Sequence, residues 1–144
     1  MITRNVPFHV PYGRKEMAFG LPSGMSATLA TSRRIAVLPN LEAAISRALA
    51  HPVHSPSLRD LARSARSVCI AFTDITRACP DHALVPAVLH ELQSAGVKKK
   101  LITLLCATGM HRPSTLEEKK AKLGQEVVRD YRVLDHEPMN PEAL

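Results

Sequence analysis

Two short, unbroken apolar runs constrain this chain most: VCIAF at residues 68–72 and LITLLCAT at residues 101–108. Both are strand length, and neither alternates as a half-exposed strand would, so they read as strands buried on both faces of a parallel sheet. Each leads into a polar loop, DITRACP (74–80) or GMHRPST (109–115), and then into a segment of helical period. In the first of these, Leu84, Ala87, Val88, Leu92 and Ala95 recur on one side and Gly96 is the stop. Pro86 is costly inside a helix, so the regular helix is expected to begin with Pro86 at its first position. The second, TLEEKKAKLG (115–124), opens on the capping box Thr115 to Glu118. YRVLDHE (131–137) reads as a third strand. Strand, helix, strand, helix, strand, with connections too long for hairpins, predicts an α/β fold: a Rossmann-like parallel βαβαβ sheet over residues 67–137 with right-handed crossovers.

Residues 1–66 form a lead-in to that core. PFHVPYGRKEMAFGLP (7–22) alternates on both sides of Tyr12-Gly13, the pattern of a β-hairpin. An extended connection follows from Ser23 to Leu38. Leu41, Ala44, Ile45, Ala48 and Leu49 then recur at helical spacing behind Asn40, a good N-cap, until Pro52 stops them. Ser57 and Asp60 mark a second short helix running through Arg66. The tail EPMNPEAL (137–144) has no apolar period, so residues 1–144 read as one domain that is not finished.

Composition narrows the class. A chain of 144 residues with 45% apolar and 22% charged side chains can bury a core. With three Phe, two Tyr and no Trp, that core must be Leu, Val, Ile and Ala, which suits α/β layers. No secretory signal and no membrane-length apolar run are found, and Cys69, Cys79 and Cys106 lack CxxC spacing, so a reducing cytoplasm is expected. The net charge of +6 draws on dispersed arginines in the first half, Arg33, Arg34, Arg47, Arg59, Arg63 and Arg66, and on a short run, Lys98 to Lys100, in the second. With few aromatics to stack on bases and no finger, RNP or homeodomain signature, a solvated surface is expected rather than nucleic-acid binding.

In an open parallel sheet, ligands bind outside the carboxyl ends of the strands. If the two buried strands are neighbours, Asp74, Arg77 and His111 converge there. Arg77 carries a planar fork suited to a carboxylate or phosphate, His111 can exchange a proton near neutral pH, and the helix start behind Ser114 and Thr115 favours an anion. The plainer alternatives are that Asp74 and Arg77 pair with each other and brace the loop, that Ser114 and Thr115 are only caps, and that His111 is a hydrogen-bonded surface residue. His51 and His54 are a weak metal pair between prolines. Cys69 and Cys106 read as core packing, Cys79 as a possible ligand contact without a base, and His136 as a further residue that could reach the crevice. Neither GxGxxG nor a Walker motif occurs.

PYGRKEMAFGLP (11–22), DITRACP and ATGMHRPSTLEEKKAKLG (107–124), in that order through essentially the whole chain, resemble the amino-terminal domain of the nickel-dependent lactate racemases and their relatives. The resemblance implies a two-domain protein with a cleft that holds a nickel pincer nucleotide, of the nickel pyridinium-3,5-bisthiocarboxylic acid mononucleotide type. It also implies proton-coupled hydride transfer on a small 2-hydroxy acid, with a histidine removing the hydroxyl proton. Carried over, His111 is the first acid/base histidine, Arg77 holds the substrate carboxylate and Asp74 lies beside it at the cofactor. The chain departs from the family at Ala78, where proline is commoner, and at Ile75, where a polar residue can occur. The family's second catalytic histidine, its cofactor-tethering lysine and its nickel-binding histidine lie further along a longer chain. The 144 residues alone are therefore expected to lack a complete site, as a fragment, a split subunit or a relic, with a missing C-terminal domain or second subunit as the implied partner. The rival expectation is a non-catalytic α/β module that binds an anionic metabolite or a partner protein.

Overall fold

A computed structural model describes residues 7–28, 30–140 and 142. Residues 1–6, Leu29 within the expected extended connection, and residues 141, 143 and 144 of the tail lie outside them. The chain divides into two compact units, residues 1–37 and 38–144.

In the first unit, β1 (Phe8–Tyr12) pairs antiparallel with β2 (Lys15–Phe19), Phe8 opposite Phe19 and Tyr12 opposite Lys15. Gly13 supplies the positive φ, 60°, that the tight turn needs. The rings of Phe8 and Phe19 stack with centroids 5.6 Å apart. The hairpin expected around Tyr12-Gly13 is thus present.

The second unit opens with α1 (Leu41–Ala50), capped by Asn40, whose side chain accepts the N–H of Ala43 at 2.9 Å. α2 (Leu58–Ala62) is capped by Ser57 and stops short of Arg66. Then come β3 (Val68–Thr73), α3 (Asp81–Ser94), a 3-10 turn at Lys99–Leu101, β4 (Ile102–Ala107), α4 (Leu116–Leu123), α5 (Gln125–Asp130) and β5 (Arg132–Asp135). The three strands lie in the order β3-β4-β5, all parallel, with Val68 beside Ile102 and Leu104 beside Val133. This is the expected α/β arrangement.

Besides the shorter α2, four details differ from expectation. The sheet is deeply buried on one face only: Phe72, Ile102, Leu104 and Cys106 pack with Val85, Leu89 and Leu92 of α3 and Leu123 of α4, while Cys69 and Ala71 are exposed. Cys69 is therefore not core packing, because strand alternation turns it away from α3 and α4. Second, Pro86 lies inside α3 rather than at its start. The helix reaches back to Asp81 because that side chain is tied down by Thr73 Oγ1 at 2.5 Å and Lys122 Nζ at 2.8 Å, a tertiary anchor that outweighs the missing N–H. Third, the most buried stripe of α3 is Val85, Leu89 and Leu92, with Leu84, Ala87 and Val88 only half-buried beside it. Last, α5 follows α4 directly, the break falling at Gly124 with φ 89°. Among the described residues no helix is long and apolar enough to cross a membrane.

Candidate functional site

β3 and β4 are paired through their last residues, Thr73 beside Ala107, so DITRACP and GMHRPST leave the same edge of the sheet. Asp74 follows β3 at once and is only 5% exposed. One of its carboxylate oxygens, Oδ1, accepts both the N–H (2.7 Å) and the hydroxyl (2.5 Å) of Thr76, closing an Asx turn. The other, Oδ2, lies 2.8 Å from Nδ1 of His111. The Thr76 hydroxyl first, then His111, then the Thr76 N–H hold the carboxyl down at about 2, against a weaker opposing effect of burial. An ionised carboxylate only accepts, so Nδ1 of His111 must be the donor. The neutral ring then carries its free lone pair on Nε2, and the half-exposed ring borders the crevice.

The His111 loop is pinned from behind. His111 N–H donates to Thr108 O at 3.0 Å, and the Thr108 hydroxyl donates to the carbonyl of His136 at 2.8 Å. Asp135, at the end of β5, accepts the N–H of Ser114 at 3.2 Å and pairs with Lys119 at 2.6 Å. Arg112 is engaged too, its fork meeting Glu118 at 2.8 and 2.7 Å. Glu118 in turn completes the capping box with Thr115 at the start of α4. Arg112 first, then the Thr115 N–H, hold the Glu118 carboxyl at about 2. The resulting crevice, of about 260 Å³, is bounded by Asp74, Ile75, Thr76, His111, Arg112, Ser114 and Glu118.

Arg77 does not line this crevice. It is exposed, and among the described residues its guanidinium has no ion-pair partner. The alternative in which Arg77 and Asp74 brace each other is not what forms, since Thr76 and His111 occupy Asp74. His136 contributes its backbone, accepting from Thr108 and donating to Cys106 O at 2.9 Å. The Cys79 thiol is raised by its hydrogen bond to Asp81 and then by burial, which makes it a poor nucleophile. Cys106 is fully buried beside the Ser114 hydroxyl, as core packing requires. His51 and His54 are exposed, and among the described residues no group of three or more His, Cys, Asp or Glu is placed to hold a metal ion.

Residues 12–144 match the family model described as the lactate racemase N-terminal domain. The chain belongs to that family. It is 33% identical over 137 residues to a lactate racemase of Thermoanaerobacterium thermosaccharolyticum, covering 94% of this chain and 32% of that protein. Against a lactate racemase of Lactiplantibacillus plantarum it is 36% identical over 92 residues, 64% of this chain and 22% of the relative. The lactate racemase apoprotein structure from Thermoanaerobacterium thermosaccharolyticum superposes with a TM-score of 0.75 at 31% identity, over 92% of this chain and 30% of that one. A protein from Thermotoga maritima superposes with a TM-score of 0.54 at 28% identity, over 72% and 23%. The chain thus spans a third or less of the length of these relatives.

As a lactate racemase N-terminal domain, the chain carries more at this edge than its sequence motifs announce. Thr76 was missed, although Asp followed two residues later by Thr is an Asx-turn pattern that could have marked it. The Arg112–Glu118 fork adds a second function to a glutamate already marked as a cap. Asp81, Lys119, Lys122 and Asp135 gave no signal, because their partners lie on other elements, 16 residues away for Lys119 and Asp135 and 41 for Asp81 and Lys122. For the nickel of the pincer nucleotide implied by the resemblance, the described residues offer no group of three or more His, Cys, Asp or Glu.

Proposed function

We propose that this chain supplies the proton-handling and carboxylate-binding part of a racemase or epimerase acting on a small 2-hydroxy acid such as lactate. The observation that carries the reading is the 2.8 Å contact between His111 Nδ1 and Asp74 Oδ2 at the carboxyl edge of the sheet. In this role His111 Nε2 takes the hydroxyl proton of the substrate and later returns it. Asp74 fixes the tautomer and stabilises the imidazolium, and with its carboxyl near 2 it stays ionised throughout. Arg77, exposed outside the crevice on the loop that carries Asp74 and unpaired among the described residues, is the group for the substrate carboxylate, because a planar guanidinium can hold both oxygens at once. Hydride chemistry is what the nickel pincer nucleotide would supply when bound. Membership of the family and the free lone pair on Nε2 both support this reading.

The test is racemisation of L-lactate, followed by circular dichroism, by the nickel-loaded protein that carries this domain. His111→Ala is expected to lower turnover on the order of a hundredfold or more with the fold intact, the usual contribution of a positioned acid/base group. Arg77→Lys is expected to raise KM. Unchanged turnover in the first variant removes His111 from the chemistry, and an unchanged KM in the second removes Arg77 as the clamp.

A further inference from the structure

Lys122 has no part in the chemistry proposed above, yet it is one of the most buried charged residues in the described chain, with 8% of its surface exposed. Its ammonium contacts three oxygens: Asp81 Oδ2 at 2.8 Å, the carbonyl of Arg77 at 2.9 Å and the carbonyl of Cys79 at 3.1 Å. That number matches its three N–H donors. If Lys122 served only to offset Asp81, one contact would suffice, and an apolar pair in place of the two charges would commonly be as stable or more so. The two carbonyls are what an apolar side chain cannot answer.

Both carbonyls belong to the loop that leaves β3. Arg77 is held on each side: its own N–H donates to Asp74 O at 3.2 Å, and its carbonyl accepts from Lys122. Peptide units are planar, so fixing the two that flank a residue fixes its φ and ψ and hence the direction of its Cα–Cβ bond. Lys122 itself sits on α4, whose first turn follows the His111 loop and whose next residue, Leu123, is 1% exposed in the core. Three residues earlier on the same helix, Lys119 binds Asp135 at the end of β5. One helix face thereby grips the sheet edge on both sides of His111.

We propose that Lys122 is a positioning residue: by holding the carbonyls of Arg77 and Cys79 it sets the course of the 74–80 loop and aims the Arg77 side chain. The effect on substrate rests on the reading of Arg77 as the carboxylate clamp, whereas the effect on the loop does not. The asymmetry between one partner and both makes the idea testable. Lys122→Met alone leaves Asp81 buried without its cation and is expected to destabilise the chain. Lys122→Met with Asp81→Asn removes both charges while keeping an acceptor for Thr73, yet still leaves the two carbonyls unanswered.

The experiment compares the parent chain with the double variant by thermal melting, by amide exchange at Thr76 and Arg77, and by NMR titration with L-lactate. The expected result is a melting temperature within about 4 °C of the parent, roughly 1 kcal/mol for a domain near this size. Amide exchange at Arg77 should be at least tenfold faster, and lactate binding about tenfold weaker. Recovery of parental exchange together with parental stability would overturn the proposal, since Lys122 would then serve packing alone. If the double variant melts far below the parent, Lys122→Gln with Asp81→Asn, which restores one amide donor, replaces it and is read by the same exchange rates. A parent chain that does not bind lactate would count against the clamp reading and leave the exchange rates to decide the role of Lys122.

Discussion

Asp74 serves two neighbours with one carboxylate: Oδ1 closes the turn onto Thr76 and Oδ2 orients His111. Its folded value of about 2 lies below the ordinary 3.8, so between those values the unfolded chain binds a proton that the folded chain does not. Glu118, held at about 2 against an ordinary 4.5, behaves alike. The stability these groups contribute is present above about pH 4.5 and is lost as pH falls toward 2. Urea midpoints measured from pH 5 to pH 2 should fall steadily, and Asp74→Asn should flatten that slope; an unchanged slope would show that Asp74 is not held as described. At the same scale, Thr115→Ala removes the cap that accepts the Glu118 N–H at 3.2 Å and should cost about 1 kcal/mol in denaturant unfolding. That Asp74 and His111 share one edge of the sheet was legible from the loops they occupy. The pairing was not, because a separation of 37 residues hides which of several polar neighbours wins.

Among the elements, α3 shows how far tertiary contacts can override local preference. Pro86 removes an N–H from the middle of the helix, yet the helix continues back to Asp81, which Lys122 and Thr73 hold. Pro86→Ala should restore that donor and raise stability by about 2 kcal/mol, the helix-interior penalty less the entropy that proline removes from the unfolded chain. A destabilised variant would show that the proline ring packs in a way the helix depends on. Leu104, 0% exposed at the centre of β4, should cost about 2 to 5 kcal/mol when cut to Ala. The apolar runs of β3 and β4 showed both strands and their parallel pairing, since Ile102, Leu104 and Cys106 are wholly apolar and buried. They misstated the faces. A continuous run such as VCIAF fits a strand covered on both sides, but Cys69 and Ala71 are exposed in the described chain. The short helix α5 went unread because six residues hold too little period to register.

For the whole molecule, every deeply buried apolar side chain among the described residues lies between Ile45 and Leu123, inside the second unit. A chain beginning at Leu38 should therefore keep the helical circular dichroism and cooperative unfolding of the parent; loss of cooperativity would show that the hairpin unit is required for the core. The site belongs to the same unit, at the edge where β3 and β4 end. Its central feature is the tautomer that Asp74 imposes on His111. Long-range 15N–1H NMR at a pH where the His111 ring is neutral reads that tautomer directly. The structure predicts the proton on Nδ1 and a bare Nε2, with Asp74→Asn eroding the preference. A ring protonated on Nε2 in the parent chain would leave no base facing the crevice and would contradict the assignment of His111.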